Sequence, residues 1–251
     1  MHSMKYMVIW IVVVISVVVP YFAKDSAAEN YRVLRYIESF PPYYFPANSS
    51  QTGIVKDIFT ALSKETGDTF EFVRLPYKRA LYQFATGKVD IEPMANPAWR
   101  GHSSVPGIYS IPFGVSEQVV LYNAKYAQSA CLPKYLVGKT LGTVAGYTYP
   151  VFGPYFADGR IKEHQLKNEN KLIQMLIAGR LHQAIMNKDF ALYRIKTEQL
   201  KNQLAVSRPC NSVPMMIRVH PSRKDALPKL NKAIKKLLDD GTISKIYGRY
   251  R

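Results

Sequence analysis

The sequence predicts an α/β protein of two lobes, and three observations carry that prediction. Apolar spacing over 31–94 reads strand–helix–strand–helix–strand, the rhythm of a parallel sheet with crossover helices. The same rhythm restarts after Pro133. Between the two blocks, 96–123 breaks the alternation and holds only strand-like pieces. A ligand is then expected between the lobes, at the carboxyl ends of the strands. The 251 residues suit one large domain or two lobes of about 100 residues each. With 47% hydrophobic and 12% aromatic residues, a disordered chain is excluded.

In the first block, residues 31–37 alternate as a strand, and the Pro-aromatic loop Phe40–Pro46 follows. Gly53 opens a helix with Ile54, Val55, Ile58, Phe59 and Leu62 on one face, stopped at Gly67. Thr69–Leu75 reads as a strand, Pro76 starts a second helix, and Val89–Met94 reads as a third strand. The middle holds strand pieces at 108–110 and 115–122. The second block reads as a helical turn at Pro133–Val137, a strand at Lys139–Val144 and the Gly146 loop. A helix to Phe156, a strand at Ile161–Leu166 and a helix at 169–178 come next. A strand at Gln183–Met186 then leads into a helix over 189–198. Leu204–Ser207 and Met215–Val219 read as strands, and an amphipathic helix with a short last helix closes the chain.

The N-terminus has Lys5, an apolar run from Met7 to Val19 and the small residues Ser26-Ala27-Ala28. This is a signal-peptide pattern over 1–28, with cleavage before Glu29; an uncleaved membrane anchor is the alternative. Export makes nucleic acid a poor partner. It also allows Cys131 and Cys210 to form one disulfide, against the alternative of two buried thiols.

The familiar catalytic and metal motifs are missing. The five His are scattered, no Cys/His spacing suits zinc, and no Gly-x-Gly-x-x-Gly occurs. Gly114-Val115-Ser116-Glu117-Gln118 lacks the last Gly of a nucleophile elbow. No catalytic residue, metal or cofactor is expected.

An ordered set of short motifs runs through the chain. Pro41-Pro42-Tyr43, Gly53-x3-Asp57-Ile58 and Pro76-Tyr77-x-Arg79-Ala80-Leu81 come first, then Gly87-x2-Asp90, Arg100 and Tyr109-Ser110-x-Pro112-Phe113. Leu136-x-Gly138-Lys139, Gly146-Tyr147-Thr148, Gly179-Arg180-Leu181 and Leu238-x2-Gly241-Thr242-x3-Ile246-x3-Tyr250 complete it. Over 31–251 this set resembles the family 3 extracellular solute-binding proteins, the periplasmic receptors of amino-acid ABC transporters. The resemblance implies a type II periplasmic-binding-protein fold with a hinge of two crossover strands. Lobe 1 would be 29–114 plus 215–251, and lobe 2 would be 118–208.

The resemblance also implies a function and a site. A small polar solute, carboxylate-bearing and amino-acid-like, would be clamped between the lobes of a periplasmic monomer for an ABC-type permease or a membrane sensor. Arg100 would hold the carboxylate bidentately. Tyr147 and Thr148 would offer a helix-entering anion loop. Phe40 and Tyr77 would cover the apolar part, and Arg79 would reach the cleft. Asn187 stands where amino-acid receptors place an Asp against the α-ammonium, so that charge pairing is missing and the solute, a small carboxylate or other polar molecule, need not carry an ammonium. Ordinary core aromatics and a surface salt bridge are the plainer readings of Phe40, Tyr77 and Arg100.

The competing class is an enzyme on the same fold, similar to a cyclohexadienyl dehydratase. It would need Glu92 or Glu117 as general acid or base. A membrane- or envelope-associated structural protein is a third class, resting on the charge and the possible N-terminal anchor alone. The formal net charge is +16, from 34 Lys and Arg against 18 Asp and Glu. Residues 215–251 hold ten Lys and Arg against three Asp and Glu, which reads as a solvated basic face.

Overall fold

The computed structural model describes residues 27–128 and 131–250. The export segment read at 1–28 lies outside the described residues except for Ala27 and Ala28. No described helix is long and apolar enough to cross a membrane.

Strand β1 (Asn30–Tyr36) pairs in parallel with β2 (Thr69–Leu75), from Asn30 opposite Thr69 to Tyr36 opposite Leu75. Helix α1 (Ile54–Thr66) makes the crossover and buries Ile54, Val55, Ile58, Phe59 and Leu62. Gly53 starts it at φ +95, where a Cβ would stand 2.5 Å from the Tyr43 carbonyl oxygen. Only glycine therefore lets the aromatic loop lie against the helix start. Helix α2 (Tyr77–Ala85) follows Pro76, and Ala80 packs with Leu34 and Val89 on the opposite face of the sheet. Strand β3 (Ile91–Ala95) completes the parallel block.

Two long strands connect the lobes. After the two-residue β4 (Ile108–Tyr109), β5 (Gly114–Asn123) runs out of the first lobe. The second lobe contains β6 (Thr140–Val144), α3 (Gly153–Ala157), β7 (Lys162–Leu166) and α4 (Glu169–Ile177). It continues with β8 (Gln183–Asn187), α5 (Lys188–Thr197) and β9 (Leu204–Val206). Strand β10 (Asn211–Val219) returns to the first lobe, and α6 (Ala226–Asp239) and α7 (Thr242–Gly248) close on it.

The strand order is β2-β1-β3-β10-β5-β8-β6-β7. Strands β5 and β10 pair antiparallel from Gly114 opposite Met215 to Gln118 opposite Asn211. The expected strand start at Met215 is thus corrected to Asn211. Asn211, Ser212, Val213 and Pro214 have no buried apolar alternation; backbone pairing with β5 makes them a strand.

The cores separate with the lobes. One cluster joins α1, α6 and α7 to the first sheet through Val33, Ile58, Ile217, Leu230 and Ile246. The second sheet is packed on both faces, by Leu172, Leu176 and Phe190 on one and by Leu136, Phe152 and Ile161 on the other. Cys131 and Cys210 form a disulfide, with Cα atoms 4.8 Å apart, beside that last cluster. The two-thiol alternative is set aside.

Candidate binding site

A cavity of about 220 Å³ lies between the lobes, at the carboxyl ends of β1, β3, β6 and β8. The first lobe lines it with Tyr36, Glu38, Phe40, Tyr43, Tyr77, Trp99 and Arg100. The second contributes Tyr147, Thr148, Tyr149, Glu169 and Asn187. Contacts across the cleft hold the walls together. The Tyr43 hydroxyl donates to Asp189 Oδ2 at 2.7 Å, and the Tyr77 hydroxyl donates to the Gly146 carbonyl at 3.3 Å. Phe40 stacks on Phe190 with ring centroids 4.9 Å apart.

Six of the seven residues expected at the site line this cavity: Phe40, Tyr77, Arg100, Tyr147, Thr148 and Asn187. Arg79 does not. It is exposed on α2, outside the cavity wall.

The Arg100 side chain is committed within the protein. Its Nε donates to Glu92 Oε2 at 3.1 Å, and its Nη2 donates to Glu92 Oε1. Nη1 donates to the Trp99 carbonyl at 3.1 Å, and Nη2 also reaches the Tyr36 hydroxyl at 3.4 Å. The two-pronged edge that would grip a solute carboxylate is thus already on a carboxylate. Glu92 is 1% exposed and is shared with Arg218, which stands opposite it on β10 and donates at 2.9 Å. Burial alone would raise the Glu92 pKa, but the Arg100 and Arg218 guanidiniums hold it below the usual carboxylate range. Burial likewise works against the Arg100 charge, and Glu92 more than offsets it, so the Arg100 pKa is raised.

Both carboxylates named for the acid–base alternative are ion-paired. Glu92 is ionised between two arginines, and Glu117 is ion-paired to Lys188 Nζ at 2.7 Å.

The anion loop also differs from expectation. Gly146-Tyr147-Thr148 does not enter a helix directly, because α3 begins only at Gly153 and has five residues. The chain instead folds back onto β6: the Tyr147 N–H donates to the Val144 carbonyl, and the Val144 N–H donates to the Tyr149 hydroxyl. Asn187 caps α5, its Oδ1 accepting from the Phe190 N–H at 3.0 Å while its Nδ2 donates to Ser116 Oγ.

Two carboxylates were not singled out from the sequence. Glu38 lines the cavity from the first lobe and has no ion-pair partner among the described residues. Glu169 is the first residue of α4, behind the capping Asn168, and is 7% exposed. Burial raises its pKa against hydrogen bonds from its own backbone N–H and from Tyr147, and the Glu38 charge adds a smaller rise. The one sequence signal for Glu169 was its place just after an Asn, at a helix start. Among the described residues no group of His, Cys, Asp and Glu could hold a metal.

Solved structures share this architecture. An ancestral arginine-binding protein bound to arginine superposes with a TM-score of 0.74 at 23% identity, covering 88% of this chain and 97% of its own. A substrate-binding protein of an ABC uptake transporter from Streptococcus pneumoniae, with bound histidine, gives 0.72 at 18% identity, covering 88% and 92%. An ancestral amino acid-binding protein described as a precursor of cyclohexadienyl dehydratase gives 0.69 at 20% identity, covering 88% and 95%. No curated protein matches the chain. These likenesses show the two-lobed type II periplasmic-binding-protein fold. The pattern of the family described as Bacterial extracellular solute-binding proteins, family 3, matches residues 34–251, so the chain belongs to that family and is a solute-binding protein.

Proposed function

We propose that this protein is a non-enzymatic receptor of the periplasm that closes its two lobes on one small solute. It then presents that solute to an ABC-type permease or a membrane sensor. The observation that carries this reading is the cavity of about 220 Å³ lined from both lobes and spanned by cross-cleft contacts. Lobes of 29–114 plus 215–251 and of 118–208 would turn about the paired segments 114–118 and 211–215. Phe40, Tyr77 and Tyr147 form the aromatic walls, and Thr148 and Asn187 add polar edges. Delivery to the periplasm follows cleavage of the 1–28 segment, and the protein works as a monomer.

Native mass spectrometry of the purified protein, followed by calorimetry with whatever it carries, tests this. The expected result is one solute per chain, recovered unchanged, with affinity reduced at least tenfold in Phe40→Ala and Tyr147→Ala. Conversion of the solute to a product would favour the enzyme class instead. Failure of every small molecule in a broad thermal-shift panel to stabilise the protein would remove the reading.

A further inference from the structure

The solute site is described above, but the charge it asks of the solute is not. Five acidic or basic side chains line the cavity: Glu38, Glu92, Glu169, Arg100 and Lys167. Glu92 and Arg100 satisfy each other, and Arg218 backs Glu92 from behind the wall. Of the five N–H donors of a guanidinium, those on Arg100 Nε and Nη2 and one on Nη1 already have acceptors. A single N–H cannot grip a carboxylate by two parallel bonds. Lys167 is exposed at the rim and makes no ion pair with a described residue.

Glu38 and Glu169 remain as the charges that face the cavity without a basic partner. They come from opposite lobes, so a cation between them would touch both only when the lobes are closed. Eight aromatic rings surround the same space: Tyr36, Phe40, Tyr43, Tyr44, Tyr77, Trp99, Tyr147 and Tyr149. Ring faces attract cations through their quadrupole, most strongly where water is excluded. Glu169 is buried beside them, and burial raises its pKa even though its own backbone N–H and Tyr147 hydrogen-bond to it.

We infer that the solute is a small organic cation, an amine or guanidine, recognised by Glu38, Glu169 and the aromatic walls, and that it needs no carboxylate because Glu92 occupies Arg100. The inference rests on the solute-receptor reading and specifies the class of solute for that same cavity.

The test is calorimetry with pairs that differ only in the carboxylate: agmatine against L-arginine, and cadaverine against L-lysine, with glutarate as the anionic control. Agmatine or cadaverine is expected to bind at least as tightly as its amino acid, and glutarate not to bind. Glu169→Gln should weaken the cation at least tenfold, and Glu38→Gln several-fold; circular dichroism checks that both variants fold. Should Glu169→Gln fail to fold, the surface-reachable Glu38→Gln decides. An amino acid binding tenfold more tightly than its decarboxylated partner would overturn the inference and leave the receptor reading intact. So would glutarate binding alone, or cation binding unchanged in Glu38→Gln and Glu169→Gln. Absence of binding by all five probes also overturns it. The receptor reading itself then stands or falls on the broad panel.

Discussion

Replacing Glu92 by Gln should be among the most damaging single changes in the protein. The carboxylate is 1% exposed and accepts from Arg218 Nη1 at 2.9 Å, from Arg100 Nε at 3.1 Å, from Arg100 Nη2 and from the Tyr36 hydroxyl at 3.2 Å. Arg218, also 1% exposed, cannot turn to water. It lies 4.0 Å over the Phe84 ring and donates to the carbonyls of Val105 and Pro106. Glutamine would leave two arginine charges beside a neutral amide, and stranding one charge of a buried pair costs about 3–5 kcal/mol. At about 2–4 °C per kcal/mol for a chain of this size, the melting temperature should fall by roughly 6–20 °C. Urea denaturation and thermal melting at pH 7 measure it directly. The double change Glu92→Gln with Arg218→Met should recover part of the loss, because the stranded charge goes with the arginine. The pH dependence has a definite sign. The folded Glu92 pKa is depressed, so its stabilisation is present above the ordinary carboxylate pKa of about 4.3 and is lost as pH falls through the folded value. The gap between wild type and variant should therefore narrow in acid. A loss below about 1 kcal/mol at pH 7, the size of one ordinary hydrogen bond, would refute the reasoning.

Three further outcomes are expected. Reducing the Cys131–Cys210 disulfide, which closes a loop of 79 positions, should cost at most about 4–5 kcal/mol by loop entropy; urea midpoints with and without reductant measure it, and equal midpoints would count against the bridge. Asn187→Ala should lose about 1 kcal/mol by uncapping α5, and Asn187→Asp should keep most of that stability because the cap needs only an acceptor oxygen. Gly142→Ala would put a Cβ 2.4 Å from Leu181 Cδ2 and 2.7 Å from Leu172 Cδ2, and overpacking of this kind costs about 1–3 kcal/mol; an unchanged melting temperature would mean that both leucines yield freely.

The elements of both lobes were legible because each rests on a local signal. The apolar face of α1 is set by Ile54, Val55, Ile58, Phe59 and Leu62, and all five are buried. The glycine at the start of α1 is equally local, whereas the capping role of Asn187 was not read from the sequence. What escaped the sequence depends on contacts distant along the chain. Arg218 meets Glu92 across 126 positions, and Tyr43 meets Asp189 across 146. Asn211–Pro214 looked like a loop because its pairing partner, not its own pattern, makes it a strand. Arg100 was found as a cavity residue from its motif, but its partner was not. Glu92 sits on a strand that reads as plain core, and nothing nearby marks its carboxylate as the one that meets the guanidinium.

The same distinction decides how much weight the overall charge carries. A chain at +16 should draw anions toward its surface and hurry their encounter. That field acts through water, where salt screens it within about 8 Å at physiological ionic strength. Inside the cleft the governing charges are closer and drier. There Glu92 pairs with Arg100 in the wall, Glu38 and Glu169 are left among aromatic faces, and Lys167 stands at the exposed rim. Much of the basic surplus lies elsewhere, in the tail, where Lys229 pairs with Asp68 and Lys236 with Glu65 on the outside of the first lobe. A surface that attracts anions and a cavity built around carboxylates can coexist in one protein, since selection among solutes is settled after encounter, by what the closed lobes leave unpaired.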